Sequence, residues 1–164
     1  MLYLNVFLEI KTYLNFAKSL EKLNLDGVEL IPQTMAPFPW HFGGQRYQNL
    51  FLSSDEIEKW CKKLGLRMCF DISHSMLTCN HFKYDFYKFC SVVGKYSAHL
   101  HLGDALGVNG EGLQIGTGEI DFNKLAAILS ETCPNASFIP EIWQGHKNNG
   151  EGFWTALNRL NNLL

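Results

Sequence analysis

The residues with the clearest chemical potential are polar side chains set at every second position of short apolar runs. "SAHLHL" carries Ser97, His99 and His101 on one alternate set and Ala98, Leu100 and Leu102 on the other. "LRMCFD" groups Arg67, Cys69 and Asp71, "SFIPEIW" groups Ser137, Ile139, Glu141 and Trp143, and "VELIPQ" groups Glu29, Ile31 and Gln33. Successive side chains of a strand point to opposite faces, so each run reads as a strand with one apolar and one polar-bearing face. The last polar members, Gln33, Asp71, His101 and Glu141, would form a single layer. One imidazole, two carboxylates and one amide oxygen suit an oxygen-rich site for Mn²⁺, Mg²⁺, Co²⁺ or Zn²⁺. No thiol joins them, which argues against a structural zinc centre. Uncompensated burial costs several kcal/mol per charge, so four such groups at one level favour ligation over four separately satisfied polar residues.

Further candidates lie just beyond the strand ends. His74 follows Asp71 by three residues in "DISH" and is placed to face a substrate or a second metal. Trp40 and His41 in "PFPWHFGG", and Trp143, His146 and Lys147 in "IWQGHKNNG", belong to loops that leave strands. The two tryptophans could supply apolar walls at that end. Asp104, the acid after the third strand, joins this substrate-facing group. His99 sits one layer below His101 and reads as a second-layer or core histidine. Glu29, level with Arg67, reads as half of a structural ion pair, although it competes with Gln33 for the first ligand position. Gly103, Gly107, Gly110, Gly112, Gly116 and Gly118 permit a long loop with close backbone approach, a lid over the polar end.

The intervening segments must position these strands. Tyr13, Phe16, Ala17, Leu20 and Leu23 recur at helical spacing, and Asp26-Gly27 turns the chain. Ser53 with Glu56 forms a capping box for a helix carrying Ile57, Trp60, Cys61 and Leu64, closed by Gly65. Helices follow over Phe86–Val93, after Asp121, and over the stretch bearing Phe153, Leu157 and Leu160. Strict alternation of strands and helices predicts an α/β fold with a parallel sheet. No glycine fingerprint follows the first strand, and the polar residues gather at strand ends, as in a (β/α)₈ barrel. Such a barrel takes roughly 250 residues and eight strands, whereas four strands are countable in these 164 residues. The expectation is a single partial, half TIM barrel domain over residues 1–164 whose open edges call for self-association or a missing N-terminal half-barrel.

With 46% hydrophobic and 18% charged residues the chain has material for a core. A net charge of −2 without basic blocks makes nucleic acid an unlikely partner. The apolar start is broken by Asn5, Glu9 and Lys11, so neither a signal nor a membrane span is expected. Five cysteines without C-x-x-C spacing fit reduced, buried thiols of a cytoplasmic protein.

The stretches "VELIPQTMAPFPWHFGGQ", "CFDISHS", "HLHLGDA", "GEGLQIGTGEIDF" and "FIPEIWQGHKNNGEGFW" resemble the C-terminal half of xylose-isomerase-like TIM barrels, the sugar phosphate isomerase/epimerase and endonuclease IV-like superfamily. More narrowly they are similar to the barrel that accompanies sialic-acid-synthase-type domains in nonulosonate biosynthesis. The resemblance implies a metal held by Asp71, His101 and Glu141, with His74 facing substrate. The family's first glutamate falls at Gln33, which can offer an oxygen but cannot take a proton. The implied activity is divalent-metal-dependent isomerisation or epimerisation of a small sugar, with Glu141 as general base and His74 or Lys147 orienting or protonating the substrate. A non-catalytic half-barrel module and an endonuclease-like phosphodiesterase are the alternatives. The second is weakened by the acidic charge and by the lack of an Asp-x-His in the loop expected to bind a further metal.

Overall fold

The computed structural model describes residues 2–38 and 49–162. The chain divides into two compact units, Met1–Leu30 and Ile31–Leu164. The first contains helix α1 (Leu2–Leu20), which starts well before the expected apolar stripe, and a turn with Gly27 at φ 74°. Among the described residues no helix is long and apolar enough to cross a membrane.

The second unit alternates as the sequence implies. It runs α2 (Ser54–Leu64), β1 (Met68–Asp71), α3 (Ile72–Phe82), α4 (Phe86–Val93), β2 (Ser97–Leu102), β3 (Asp104–Leu106), β4 (Gly110–Leu113), α5 (Phe122–Thr132), β5 (Ser137–Pro140) and α6 (Lys147–Asn161). Helix α2 has the anticipated capping box between Ser53 and Glu56, and Gly65 closes it in the left-handed conformation. Strands β1, β2 and β5 form a parallel sheet in that order. The expected first strand, "VELIPQ", shrinks to a parallel bridge between Gln33 and Cys69. Pro32 has no N–H to donate, so pairing is confined to Cys69 N–H to Pro32 O at 2.8 Å and Thr34 N–H to Cys69 O at 3.0 Å.

The apolar strand faces meet helices. Met68 and Phe70 are fully buried, Leu100 and Leu102 nearly so, and the Phe70 ring lies 6.2 Å from that of Phe89 on α4. All five cysteines are buried and free. The β5 edge of the sheet is open among the described residues. Phe138 and Ile139 on β5 are 41% and 45% exposed.

Two elements depart from the sequence reading. Helix α3 arises where only a strand end was expected, because "ISHSMLTCNHF" is buried around most of its circumference and shows no amphipathic period. The glycine-rich stretch is a built structure rather than a loose loop: β3 and β4 pair as an antiparallel hairpin, and Asp104 pins the chain beyond it. This carboxylate is fully buried. It accepts backbone N–H bonds from Ala105 at 2.8 Å, Gly116 at 3.0 Å, Gly118 at 2.8 Å and Ile120 at 3.2 Å. Asp104 is therefore corrected from a substrate-binding residue to the organiser of the loop. A Cβ on Gly118 would fall among Ala105 O and the Asp104 carboxyl atoms, so only glycine admits that approach. Asp104→Asn replaces one carboxylate oxygen with a donor and leaves two N–H groups without an acceptor. The expected loss is about 2–4 kcal/mol of unfolding free energy, read by urea denaturation.

Candidate metal and substrate site

Asp71 ends β1 and starts α3, and the sequence exploits both facts. As the N-cap, its Oδ1 accepts the His74 N–H at 2.9 Å, a role favoured for aspartate. Its Oδ2 turns the other way and accepts from Gln33 Nε2 at 2.8 Å. Thr34, fully buried, fastens the Asp71 backbone from both sides. Its hydroxyl accepts the Asp71 N–H at 2.9 Å and donates to Asp71 O at 3.2 Å, continuing by side chain the ladder that the Gln33 bridge begins.

His101 and Glu141 close on the same point. One ligand atom each from Asp71, His101 and Glu141 lie within 4.8 Å of one another. His101 Nδ1 stands 2.5 Å from Glu141 Oε2 and 3.7 Å from Asp71 Oδ2. Yet this buried nitrogen makes no directed hydrogen bond among the described residues. Three possible ligand atoms gathered this closely are what a cation requires, and an imidazole with two carboxylates is a suitable set. The residues therefore fit a divalent ion.

These side chains do not share one register row, contrary to the layer read from the sequence. Asp71 pairs with His101, but Gln33 pairs with Cys69, and His101 pairs with Ile139, two residues before Glu141. They meet because barrel strands are staggered against one another, so residues at equal height are not register partners. Gln33 is the second difference. Its amide nitrogen faces Asp71, so it steadies that carboxylate instead of offering an oxygen to the cluster.

Around the triad lies a cavity of about 560 Å³ lined by Ser73, His74, Glu111, Trp143, His146 and Lys147, among others. His74 Nδ1 is 3.2 Å from Asp71 Oδ2 and its Nε2 is 3.5 Å from Glu111 Oε2. Trp143 is 73% exposed, and Lys147 Nζ donates to Gln144 Oε1 at 2.9 Å. Gln144, Asn148, Asn149 and Gly150 take left-handed backbone angles along this rim. His99 stays below, its ring 5.3 Å from that of His101 and its Nδ1 2.7 Å from Ser137 Oγ. Trp40 and His41 lie outside the described residues, and Glu29 belongs to the other unit. Glu111 and Ser73 were not singled out from sequence. A lone acid between glycines in "NGEGL" was the available signal for the first.

The electrostatics follow the geometry. Asp71, then Cys69 and Glu141, push His101 from an ordinary 6.5 up to about 12, against its burial. His101 in turn holds Glu141 below the usual carboxylate range, although burial opposes this. Burial works against the charged form of His74, but the Glu111 contact and the Asp71 and Glu111 charges outweigh it and raise its pKa.

A family model described as "Xylose isomerase-like TIM barrel" matches residues 5–163. The chain belongs to that family. Solved structures titled as sugar epimerases are among its structural neighbours, all at identities that speak for the fold alone. A D-tagatose 3-epimerase-like protein superposes with a TM-score of 0.54 at 19% identity, over 83% of this chain and 49% of that one. D-psicose 3-epimerase from Clostridium cellulolyticum H10 gives 0.59 at 16%, over 84% and 50%. The 3-keto-D-glucoside 4-epimerase of E. coli gives 0.53 at 14%, over 83% and 46%. The chain thus spans about half the length of these solved structures. No curated protein sequence matches it.

The raised pKa of His101 has a defined consequence for the protein in EDTA. A folded value above the unfolded one means that the imidazolium contributes its full stabilisation below about pH 6.5 and loses it as pH climbs toward about 12. The stability gap between wild type and His101→Gln should therefore narrow steadily from pH 6 to pH 9, as followed by urea midpoints.

Proposed function

We propose that this chain carries the metal-binding end of a divalent-metal-dependent isomerase or epimerase acting on a small sugar or sugar derivative. The observation that carries the reading is the convergence of Asp71, His101 and Glu141 on one point at the mouth of a sugar-sized cavity. A divalent cation held by these three would supply Lewis-acid polarisation of the substrate oxygens beside the reacting carbon. The remaining chemistry belongs to the chain. Glu141, at the strand end facing the cavity, is the general base that takes a proton from the carbon next to the carbonyl. His74, fixed between Asp71 and Glu111, lines the cavity and steadies negative charge that develops on the substrate. The indole of Trp143 offers an apolar wall, and His146 with Lys147 contacts hydroxyl or acidic substituents from the rim.

The sugar epimerases among the structural neighbours support this class of substrate. The motif resemblance to barrels that accompany sialic-acid-synthase-type domains supports a sugar of nonulosonate biosynthesis, in a cytoplasmic setting. The open β5 edge, with Phe138 and Ile139 exposed, supports completion by another half-barrel, since parallel sheets are stable when closed or covered. Sedimentation at twice 18.7 kDa would identify a second copy as that half; a species at the single mass would point to an N-terminal half-barrel.

Two measurements test the reading. Isothermal titration of the EDTA-stripped protein with Mn²⁺ should show one site per triad, weakened roughly 100-fold or more in His101→Ala. Glu141→Gln should lower sugar turnover by about 10²–10⁴; unchanged turnover would remove Glu141 from the base role.

A further inference from the structure

Inverting a carbon beside a carbonyl takes two groups: one removes the proton from one face and another returns a proton to the opposite face. Glu141 fills the first place under the function proposed above, on which this inference rests. The other described carboxylates lining the cavity are Asp71 and Glu111. Asp71 is committed, with Oδ1 capping α3, Oδ2 bound to Gln33, and only 2% of the residue exposed. Gln33 carries an amide, which does not exchange a proton in this role.

Glu111 differs on each count. It lies on β4, a different element from the strand end that bears Glu141, and its side chain is 28% exposed toward the cavity. It is not one of the three converging ligands. Its position is fixed by its neighbour: Gly112 N–H donates to Ser73 Oγ at 2.8 Å, and Gly112 O accepts the Trp143 N–H at 2.7 Å. Gly112 has φ 62°, and a Cβ there would stand 3.2 Å from Trp143 N. The hairpin is thus clamped both to α3 and to the segment two residues past Glu141. His74 Nε2, at 3.5 Å, orients the Glu111 carboxylate. This is the preorganisation that proton transfer needs.

We propose that Glu111 is the second proton-transfer residue of this site, filling the place that the Gln33 amide cannot. The Glu141 carboxylate removes the proton of the hydroxyl-bearing carbon beside the carbonyl. The C–H electron pair becomes the C=C bond of an enediolate, and the carbonyl π pair moves to oxygen. When the carbonyl re-forms, the pair returns to carbon and takes the proton of the Glu111 carboxylic acid. Glu141 ends protonated and Glu111 ionised, and exchange with water resets both.

The test incubates Mn²⁺-loaded wild type, Glu111→Gln and Glu111→Asp with a panel of ketopentoses and ketohexoses in D₂O. Deuterium gain is read by mass spectrometry, and inversion by chromatography. Glu111→Gln should keep the wild-type melting temperature and Mn²⁺ affinity, lose roughly 100-fold in kcat for inversion, and change KM by less than about threefold. It should still introduce deuterium into the uninverted sugar, because Glu141 continues to exchange its own face. Glu111→Asp should recover part of the inversion. Inversion by Glu111→Gln within about threefold of wild type overturns this assignment alone, as does simultaneous loss of exchange or of Mn²⁺ affinity. A wild type that binds Mn²⁺ but exchanges no ketose proton overturns the proposed function, and this assignment with it.

Discussion

The Asp71 carboxylate is the constraint on which the site depends. One oxygen closes the first turn of α3 and the other is held at 2.8 Å by Gln33. The same side chain therefore starts a helix, joins the Gln33 bridge to β1 and contributes to the ligand triad. A buried carboxylate is expensive unless its lone pairs are occupied, and here each oxygen has a donor before any ligand arrives. Thr34 makes the arrangement rigid by bonding both the N–H and the C=O of Asp71. Because the peptide group is fixed on either side, the carboxylate has little freedom to follow a misplaced partner.

A second buried carboxylate does for the hairpin what the first does for the strands. Asp104 gathers four backbone N–H groups, and the glycines it gathers give way because they carry no side chain. The hairpin that bears Glu111 is then tied to the helix capped by Asp71 through the Ser73 hydroxyl and to the segment after Glu141 through a backbone bond. Gly103 contributes at the root, since a Cβ there would stand 2.6 Å from Glu141 O. Glycine at that point is a condition for the two strand ends to meet.

The fold was legible because polar residues at alternate positions in apolar runs leave few other readings than half-buried strands. Asp71, His101 and Glu141 were legible for the same reason. What failed was the assumption that equal height means equal register, because the stagger of a barrel is a property of the closed sheet and not of any one strand. Helix α3 was hidden by its own burial: a segment covered on nearly all sides has no amphipathic rhythm to detect. Asp104 was misassigned because an acid at a strand end has the same appearance in sequence whether it faces a ligand or backbone amides. Gln33 was expected to present its oxygen, but a neighbouring carboxylate makes the amide nitrogen the favoured end. Glu111 escaped notice because its relation to the site runs through a hairpin whose two glycines conceal any periodicity.

The charge pattern explains why the two imidazoles are shifted as they are. Asp71, Glu111 and Glu141 bring three carboxylates to one cavity, and the His74 and His101 imidazoles stand within 4 Å of them. Like charges this close repel strongly in a partly dry site, and raised imidazole pKa values are the protein's own relief of that repulsion. The relief is unequal. His101 is pressed between Asp71 and Glu141, whereas His74 is set between Asp71 and Glu111 and pays more for its burial. The strongest demand for positive charge therefore falls between the three converging donors rather than at the hairpin. That asymmetry separates the cavity into a pole where charge is concentrated and an adjoining carboxylate, Glu111, with a neutralising partner of its own.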